Sequence, residues 1–277
     1  TDDGEAGYLT GHSRILSFNP HTGALLDELT LPDTGDARSS ITFIPEAANS
    51  AAGTAYFTTK GGYFYSLTVD ADGKLGKLRS VRLSNGGDDP TKPAMSTCTP
   101  TIYNGRAYVG VSGTSQFGPY SGHNLTVIDL AAMAVAYSVP TQGYPQTSGI
   151  LTTAYDKGDG TVSVYFFDNY TPGKLRVLCD RPGQTEPLLT TRETAVIDGR
   201  TVTFDTPYVL FTPNGAQAQY AICSPVIDAD GTIYFKNDSA YLMAVGSVPT
   251  ALEVTKQPDK TVYTAGEAFD PTGLTVT

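Results

Sequence analysis

At 277 residues the chain has room for one large domain or two ordinary ones, with enough length to bury a substantial core. Its 18 Lys and Arg against 28 Asp and Glu give a net charge of −10, which argues against nucleic-acid binding, because neutralising phosphates needs basic side chains. Charged residues make up 17% and hydrophobic residues 40%, a packed protein and not a disordered acidic tail. No apolar run approaches the ~18 residues of a membrane-spanning helix.

The chain opens Thr1-Asp2-Asp3-Gly4, without Met, a basic segment or an apolar segment, and reads as a processed or excised chain. From there it alternates in short runs rich in Tyr, Val, Ile, Phe and Thr, punctuated by Gly, Asp, Asn and Pro. Strands are predicted at 14–18 and 25–31, then at 39–44, 54–58, 63–69 and 77–83. They continue at 98–103, 106–110, 124–130 and 134–139, at 148–155, 162–166 and 174–179, and at 223–227, 232–235 and 240–245. The stretch 129–137 (DLAAMAVAY) is the one place where a helical turn fits, and alternation fits it as well. Residues 181–218 read as a long link.

A period runs through these strands. Runs centred on Tyr8, Tyr56, Tyr108, Tyr165 and Tyr234 recur at spacings of 48, 52, 57 and 69 residues, each followed by a loop and an apolar strand. Four antiparallel strands repeating about every 50 residues predict an all-β fold, a β-propeller of four-stranded blades. One such sheet cannot bury both its faces alone, but radially stacked sheets cover one another. Five blades are recognisable, and both ends of the array read as open: either the ring closes through strands the pattern does not reveal, or the blades are part of a larger ring. Asn104-Gly105 sits where a type I′ hairpin needs two residues with positive φ. The acidic turns at 70–73 and 228–231 lack the spacing of a calcium loop and read as Gly-closed turns.

Two resemblances emerge from these residues. The run Ile15 to Leu26 (ILSFNPHTGALL) and the run Ser224 to Phe235 (SPVIDADGTIYF) resemble the strand–turn–strand units of pyrroloquinoline-quinone-like propeller repeats, and residues 98–109 match more loosely. The resemblance covers about residues 7 to 246. It implies the blade fold and, in the family's enzymes, a quinone stacked on a Trp, in many of them beside adjacent cysteines. This chain has no Trp, and Cys98, Cys179 and Cys223 are far apart in sequence, so no cofactor is expected and the cysteines read as small apolar residues buried in strands. Residues 251–276 (ALEVTKQPDKTVYTAGEAFDPTGLTV) resemble the opening of a bacterial immunoglobulin-like domain. The expected organisation is therefore a propeller at 1–248 and an incomplete immunoglobulin-like segment at 249–277. That segment, short of its partner sheet, is expected to find a substitute partner such as the outer edge of the last blade. The parent would be a modular protein secreted by, or displayed on the surface of, a Gram-positive-type bacterium.

Propeller topology sorts the loops. Those between second and third strands share one face with the links between blades, and the longest loops fall there, where binding is expected. The candidate ligand-binding residues are His12, Lys60, Phe117, Tyr120 and His123 in the earlier loops, and Asp168, Asn169, Tyr170 and Asp238 in the later ones. Tyr and Phe beside polar groups can stack on sugars or anchor a peptide. The leading expectation is a non-catalytic binding or adhesion protein that presents this face to a glycan, peptide or protein. The alternative is a polysaccharide-active hydrolase or lyase using carboxylates of the same face. No nucleophile elbow, phosphate loop or zinc-protease motif is present, and no catalytic residue is assigned.

Overall fold

The computed structural model describes residues 12–33, 35–84, 94–113, 118–197, 199–246, 254–264 and 266–276. The predicted strand around Tyr8, and Phe117, lie outside the described residues. Among those described, all regular structure is β apart from one 3-10 turn at Gly215–Gln217.

Five antiparallel sheets follow one another between residues 14 and 245. The first pairs β1 (Arg14–Phe18) with β2 (Leu25–Thr30). The second orders β3 (Thr42–Pro45), β4 (Gly53–Thr58), β5 (Tyr63–Val69) and β6 (Leu75–Arg82). The third orders β7 (Thr101–Tyr103), β8 (Arg106–Val111), β9 (Asn124–Asp129) and β10 (Ala134–Pro140). Residues 134–137, which could have been a helical turn, are strand. The fourth sheet contains β11 (Ile150–Thr152), β12 (Val162–Phe167) and β13 (Leu175–Asp180), followed by β14 (Thr190–Ile197) and β15 (Arg200–Phe211). The fifth orders β16 (Val226–Ile227), β17 (Ile233–Lys236) and β18 (Leu242–Val245).

Alternation of side chains across each strand sends neighbouring residues to opposite faces. In β5, Tyr65 joins Ile15 and Leu31 of the first unit, while Phe64 packs with Val109 and Ile128 of the third sheet. In β8, Val109 faces the second sheet and Tyr108 packs with Val164 and Leu178 of the fourth. In β12, Phe166 lies in that same layer while Phe167 packs with Ile233 and Phe235 of the fifth. Each inner sheet is therefore covered on both faces, and every residue of β8 and β12 is buried. Full burial of a side chain such as Phe64, Phe166 or Phe167 contributes roughly 1.5–3 kcal/mol. Sequential sheets stacked face to face in this way form an all-β propeller. The first and last sheets keep apolar residues in solvent, among them Phe18 and Leu25 at one end and Val226 and Leu242 at the other.

The turns carry the geometry their residues allow. Asn104 and Gly105 hold φ values of 45° and 75°, the mirror-image turn that matches strand twist. In the acidic turns the carboxylates serve the backbone: Asp70 Oδ1 accepts from the amides of Asp72 and Lys74, and Asp228 Oδ1 from those of Asp230 and Thr232.

Two expectations need correction. Residues 181–218 are not merely a link. β14 and β15 form a hairpin with eight paired positions, from Thr190↔Pro207 to Ile197↔Arg200, and β15 also pairs with β13 (Arg176↔Val209). The alternation of Thr, Arg, Val and Phe through both runs favours extended backbone. In the tail, the described strands pair with each other and not with the last blade. β19 (Val254–Lys256) pairs with β20 (Thr275–Val276) as its own two-stranded sheet, with the rings of Tyr263 and Phe269 5.9 Å apart between them in sequence.

Candidate ligand-binding cleft

Three segments converge on one face. The first is the link 141–146 from β10 to β11, the second the loop 168–173 between β12 and β13, and the third the segment 217–222 leading from β15 to β16. Backbone hydrogen bonds tie them together. Asn169 N–H donates to Tyr144 O at 2.9 Å, Gly173 N–H to Gln219 O at 2.9 Å, and Asp238 N–H to Tyr220 O at 3.3 Å. Asn237 Nδ2 adds bonds to the carbonyls of Gln217 (2.8 Å) and Gln219 (3.1 Å). Tyr144 is fully buried beneath its segment, and its hydroxyl accepts from Thr97 N–H at 2.6 Å. These walls are loops, but they are held like core.

Between them lies a cleft of about 500 Å³, lined by Gln146, Asn169, Tyr170, Thr171, Tyr220 and Ile222. That volume lies within the range of small-ligand sites, ~300–1,000 Å³. Asn169 Nδ2 donates to Gln146 Oε1 at 3.1 Å, so the two amides are fixed against each other. The Asp238 carboxylate beside the Tyr220 hydroxyl raises the phenol above its ordinary range. Two phenol rings, two amides, a hydroxyl and an aliphatic side chain make a mixed apolar and polar lining. It carries no ionised group of its own.

Beside the cleft stands a buried ionic cluster. Arg176 is fully buried in β13; its Nε donates to Asp168 Oδ2 at 2.6 Å and one terminal nitrogen to Glu193 Oε2 at 2.8 Å. Lys174 reaches Glu193 Oε1 at 2.5 Å, and Tyr120 donates its hydroxyl to Glu193 Oε2 at 2.7 Å. Burial by itself would raise Glu193, but the charge of Arg176 and the hydrogen bonds of Lys174 and Tyr120 outweigh it and hold the carboxyl at about 2. Desolvation dominates at Asp168, whose second oxygen is buried without a partner among the described residues, and raises its carboxyl. The cluster fastens the β14–β15 hairpin to the fourth blade.

The nine sequence candidates thus separate. Asn169 and Tyr170 line the cleft, and Asp238 meets it through Tyr220. Asp168 is adjacent in sequence but serves Arg176. Tyr120, with φ of 52°, stacks on Phe204 of the hairpin with ring centroids 4.6 Å apart. His123 is buried: Nδ1 accepts from Gly113 N–H at 2.9 Å, and Nε2 lies 3.0 Å from Gly118 O, where it donates. Tyr120 and His123 share a second, smaller hollow of about 380 Å³ with Phe204 and Asn124. Lys60 pairs with Asp36 at 3.5 Å, and His12 Nδ1 lies 2.8 Å from Leu31 O, both in the earlier blades. Sequence reasoning missed Gln146, Thr171, Tyr220 and Ile222. Gln146 and Thr171 could have been found, because propeller topology puts the segments 141–146 and 168–173 on the same face as Asn169 and Tyr170. Cys98, buried just ahead of β7, donates its thiol to Thr147 O at 3.3 Å, and burial pushes it up to about 11.

No helix among the described residues is long and apolar enough to cross a membrane. No family model and no curated protein matches the chain. Among solved structures it is similar to BamB from Moraxella catarrhalis (14% identity, 85% of this chain and 67% of that one, TM-score 0.44). It is also similar to a quinohemoprotein alcohol dehydrogenase from Pseudomonas putida HK5 (15%, 87% and 40%, TM-score 0.42). A third similar structure is the Dos1 propeller (12%, 89% and 57%, TM-score 0.47). The chain spans between 40% and 67% of the length of these three structures.

Proposed function

We propose that this propeller is a non-catalytic binding module and that the cleft around Tyr170 and Tyr220 is its ligand site. The observation that carries the reading is the lining itself: two tyrosines, two mutually oriented amides and Ile222 around about 500 Å³. Such a lining gives contact area and orientation. General acid–base chemistry needs a titratable group within reach of the reacting atoms; the lining offers only the phenols of Tyr170 and Tyr220, and the Asp238 carboxylate raises the Tyr220 phenol, further from the range a general base needs near neutral pH. The nearby carboxylates of Asp168 and Glu193 are engaged by Arg176, Lys174 and Tyr120. Binding is therefore favoured over the hydrolase or lyase alternative, and no quinone is assigned to the chain.

The setting we infer is the exterior of a bacterial cell, with the segment from residue 249 opening an immunoglobulin-like spacer. Support comes from the resemblance of residues 251–276 to such a module. The experiment is an array of immobilised glycans and peptides probed with the wild-type chain and with Tyr170→Ala. Retention on a defined set of ligands that Tyr170→Ala loses supports the reading. Retention that Tyr170→Ala leaves unchanged, or turnover of a polysaccharide, contradicts it.

A further inference from the structure

We propose that the cleft takes a neutral sugar, gripped through a pair of adjacent hydroxyls; this rests on the reading of the cleft as a ligand site. The amides decide the polar half of the argument. An amide carries one carbonyl acceptor and two N–H donors. Asn169 Nδ2 and Gln146 Oε1 spend themselves on each other at 3.1 Å. That leaves Asn169 Oδ1 as an acceptor and the N–H groups of Gln146 Nε2, with the second N–H of Asn169, as donors, none hydrogen-bonded to protein among the described residues. Exchanging the orientation of both amides together leaves the same result: one amide offers its carbonyl and the other its N–H groups, an acceptor and a donor on neighbouring side chains. Vicinal hydroxyls match that pair, since one can accept from the donor while its neighbour donates to the acceptor.

The apolar half comes from Tyr170 and Tyr220, both on the lining, with Ile222 beside them. A pyranose ring presents C–H groups on its faces and hydroxyls around its rim, so it needs a phenol platform and an amide edge together. Both are here within one cleft.

Charge and backbone narrow the class further. No lining residue is ionised, the carboxylate at the Tyr220 hydroxyl is Asp238, and the whole chain carries −10. A uronic acid, a sulfated sugar or a phosphate would meet repulsion with no cation in the lining to offset it. A peptide is usually held by a free strand edge or a charged clamp. The wall amides of Asn169, Gly173 and Asp238 are already bonded to carbonyls of Tyr144, Gln219 and Tyr220, so these backbone groups offer no edge to extend.

The test is calorimetric titration of the full chain with the methyl glycosides of glucose, galactose, mannose and N-acetylglucosamine and their neutral oligomers, alongside glucuronate and a set of blocked peptides. At least one neutral sugar should bind. Tyr220→Ala and Tyr170→Ala should each weaken it about tenfold or more, as loss of a stacking platform does. Asn169→Ala should weaken it about tenfold, the loss of one hydrogen bond, while Tyr220→Phe, which keeps the ring, should stay within about threefold. Tyr220 is 37% exposed, so its replacement should leave the fold intact, and an unchanged circular dichroism spectrum is the check. Binding of peptides but no sugar, lost in Tyr170→Ala, overturns the sugar assignment and leaves the cleft as a ligand site. Sugar binding that none of these variants weakens overturns both. Binding of glucuronate in preference to every neutral sugar overturns the sugar class proposed.

Discussion

Gly143 lies so close to Tyr170 that a Cβ built on it would stand 2.6 Å from Tyr170 Cβ and 2.8 Å from Asn169 O. The link from the third blade is pressed against the loop that carries two of the cleft's lining residues. The absence of a side chain on one segment thus sets where Asn169 and Tyr170 sit on the other.

Gly143→Ala should therefore act on stability and on the cleft together. Accommodating the methyl group forces the two segments apart, at a cost of about 1–3 kcal/mol. Urea denaturation would show the loss. Gly105→Ala, where a Cβ would meet nothing within 4 Å, serves as the comparison. It should cost only about 1 kcal/mol, from the positive φ.

The ionic cluster gives a second expectation. Arg176→Met keeps much of the volume but leaves Asp168 and Glu193 without their guanidinium. Removing one partner of a buried pair costs about 3–5 kcal/mol. Replacing Asp168 and Glu193 by Asn and Gln in the same chain should recover a good part of that loss. A triple variant no more stable than Arg176→Met alone would mean that the guanidinium acts through packing, not charge.

The legible part of the fold is the part set by local alternation. Phe64 and Tyr65, or Tyr108 and Val109, are adjacent apolar residues, and a strand buried on both faces is the economical way to cover both. Asn104-Gly105 states its turn outright. The β14–β15 hairpin carries the same signals, with Asp198-Gly199 between two alternating runs, but it falls outside the four-strand period, so the repeat alone reads it as a link. The site divides in a similar way. Asn169 and Tyr170 were legible as cleft residues because topology puts their loop on the face of the long loops. Tyr220 and Ile222 were not, because their place depends on bonds from Gly173 and Asn237, which no local pattern announces. Nor does sequence separate His123 or Asp168 from a ligand contact. Only burial and the partners Gly113, Gly118 and Arg176 show that they hold structure.

Acid should report on Glu193. Its folded-state value of about 2 lies below the ordinary glutamate value of 4.5, so its contribution is full above that range and is lost as pH falls from about 4.5 towards 2. Denaturation measured across this window should show a shallower decline for Glu193→Gln than for the wild type. Parallel curves would mean that Glu193 titrates normally.

Tyr120 and Phe204 should be energetically coupled. Their planes are 2° apart and their centroids 4.6 Å, joining the 118–123 segment to the hairpin. A double-mutant cycle with Tyr120→Leu and Phe204→Leu should give a coupling of about 0.5–1.5 kcal/mol. The Tyr120→Leu arm should exceed the Phe204→Leu arm, because it also strips a hydrogen bond from Glu193. Additive losses would contradict the clamp.

The central claim is that ligand enters between Tyr170 and Tyr220, and isotope-labelled tyrosine tests it most directly. With ring carbons labelled, and the signals of these two residues assigned through Tyr170→Phe and Tyr220→Phe, a ligand found on the array is titrated in while the 17 tyrosines are followed by NMR. The account predicts that the largest shifts fall on Tyr170 and Tyr220, with Tyr120 and Tyr137 near their free positions. Shifts concentrated on Tyr120, in the smaller hollow with Phe204, with Tyr170 and Tyr220 unmoved, would contradict it.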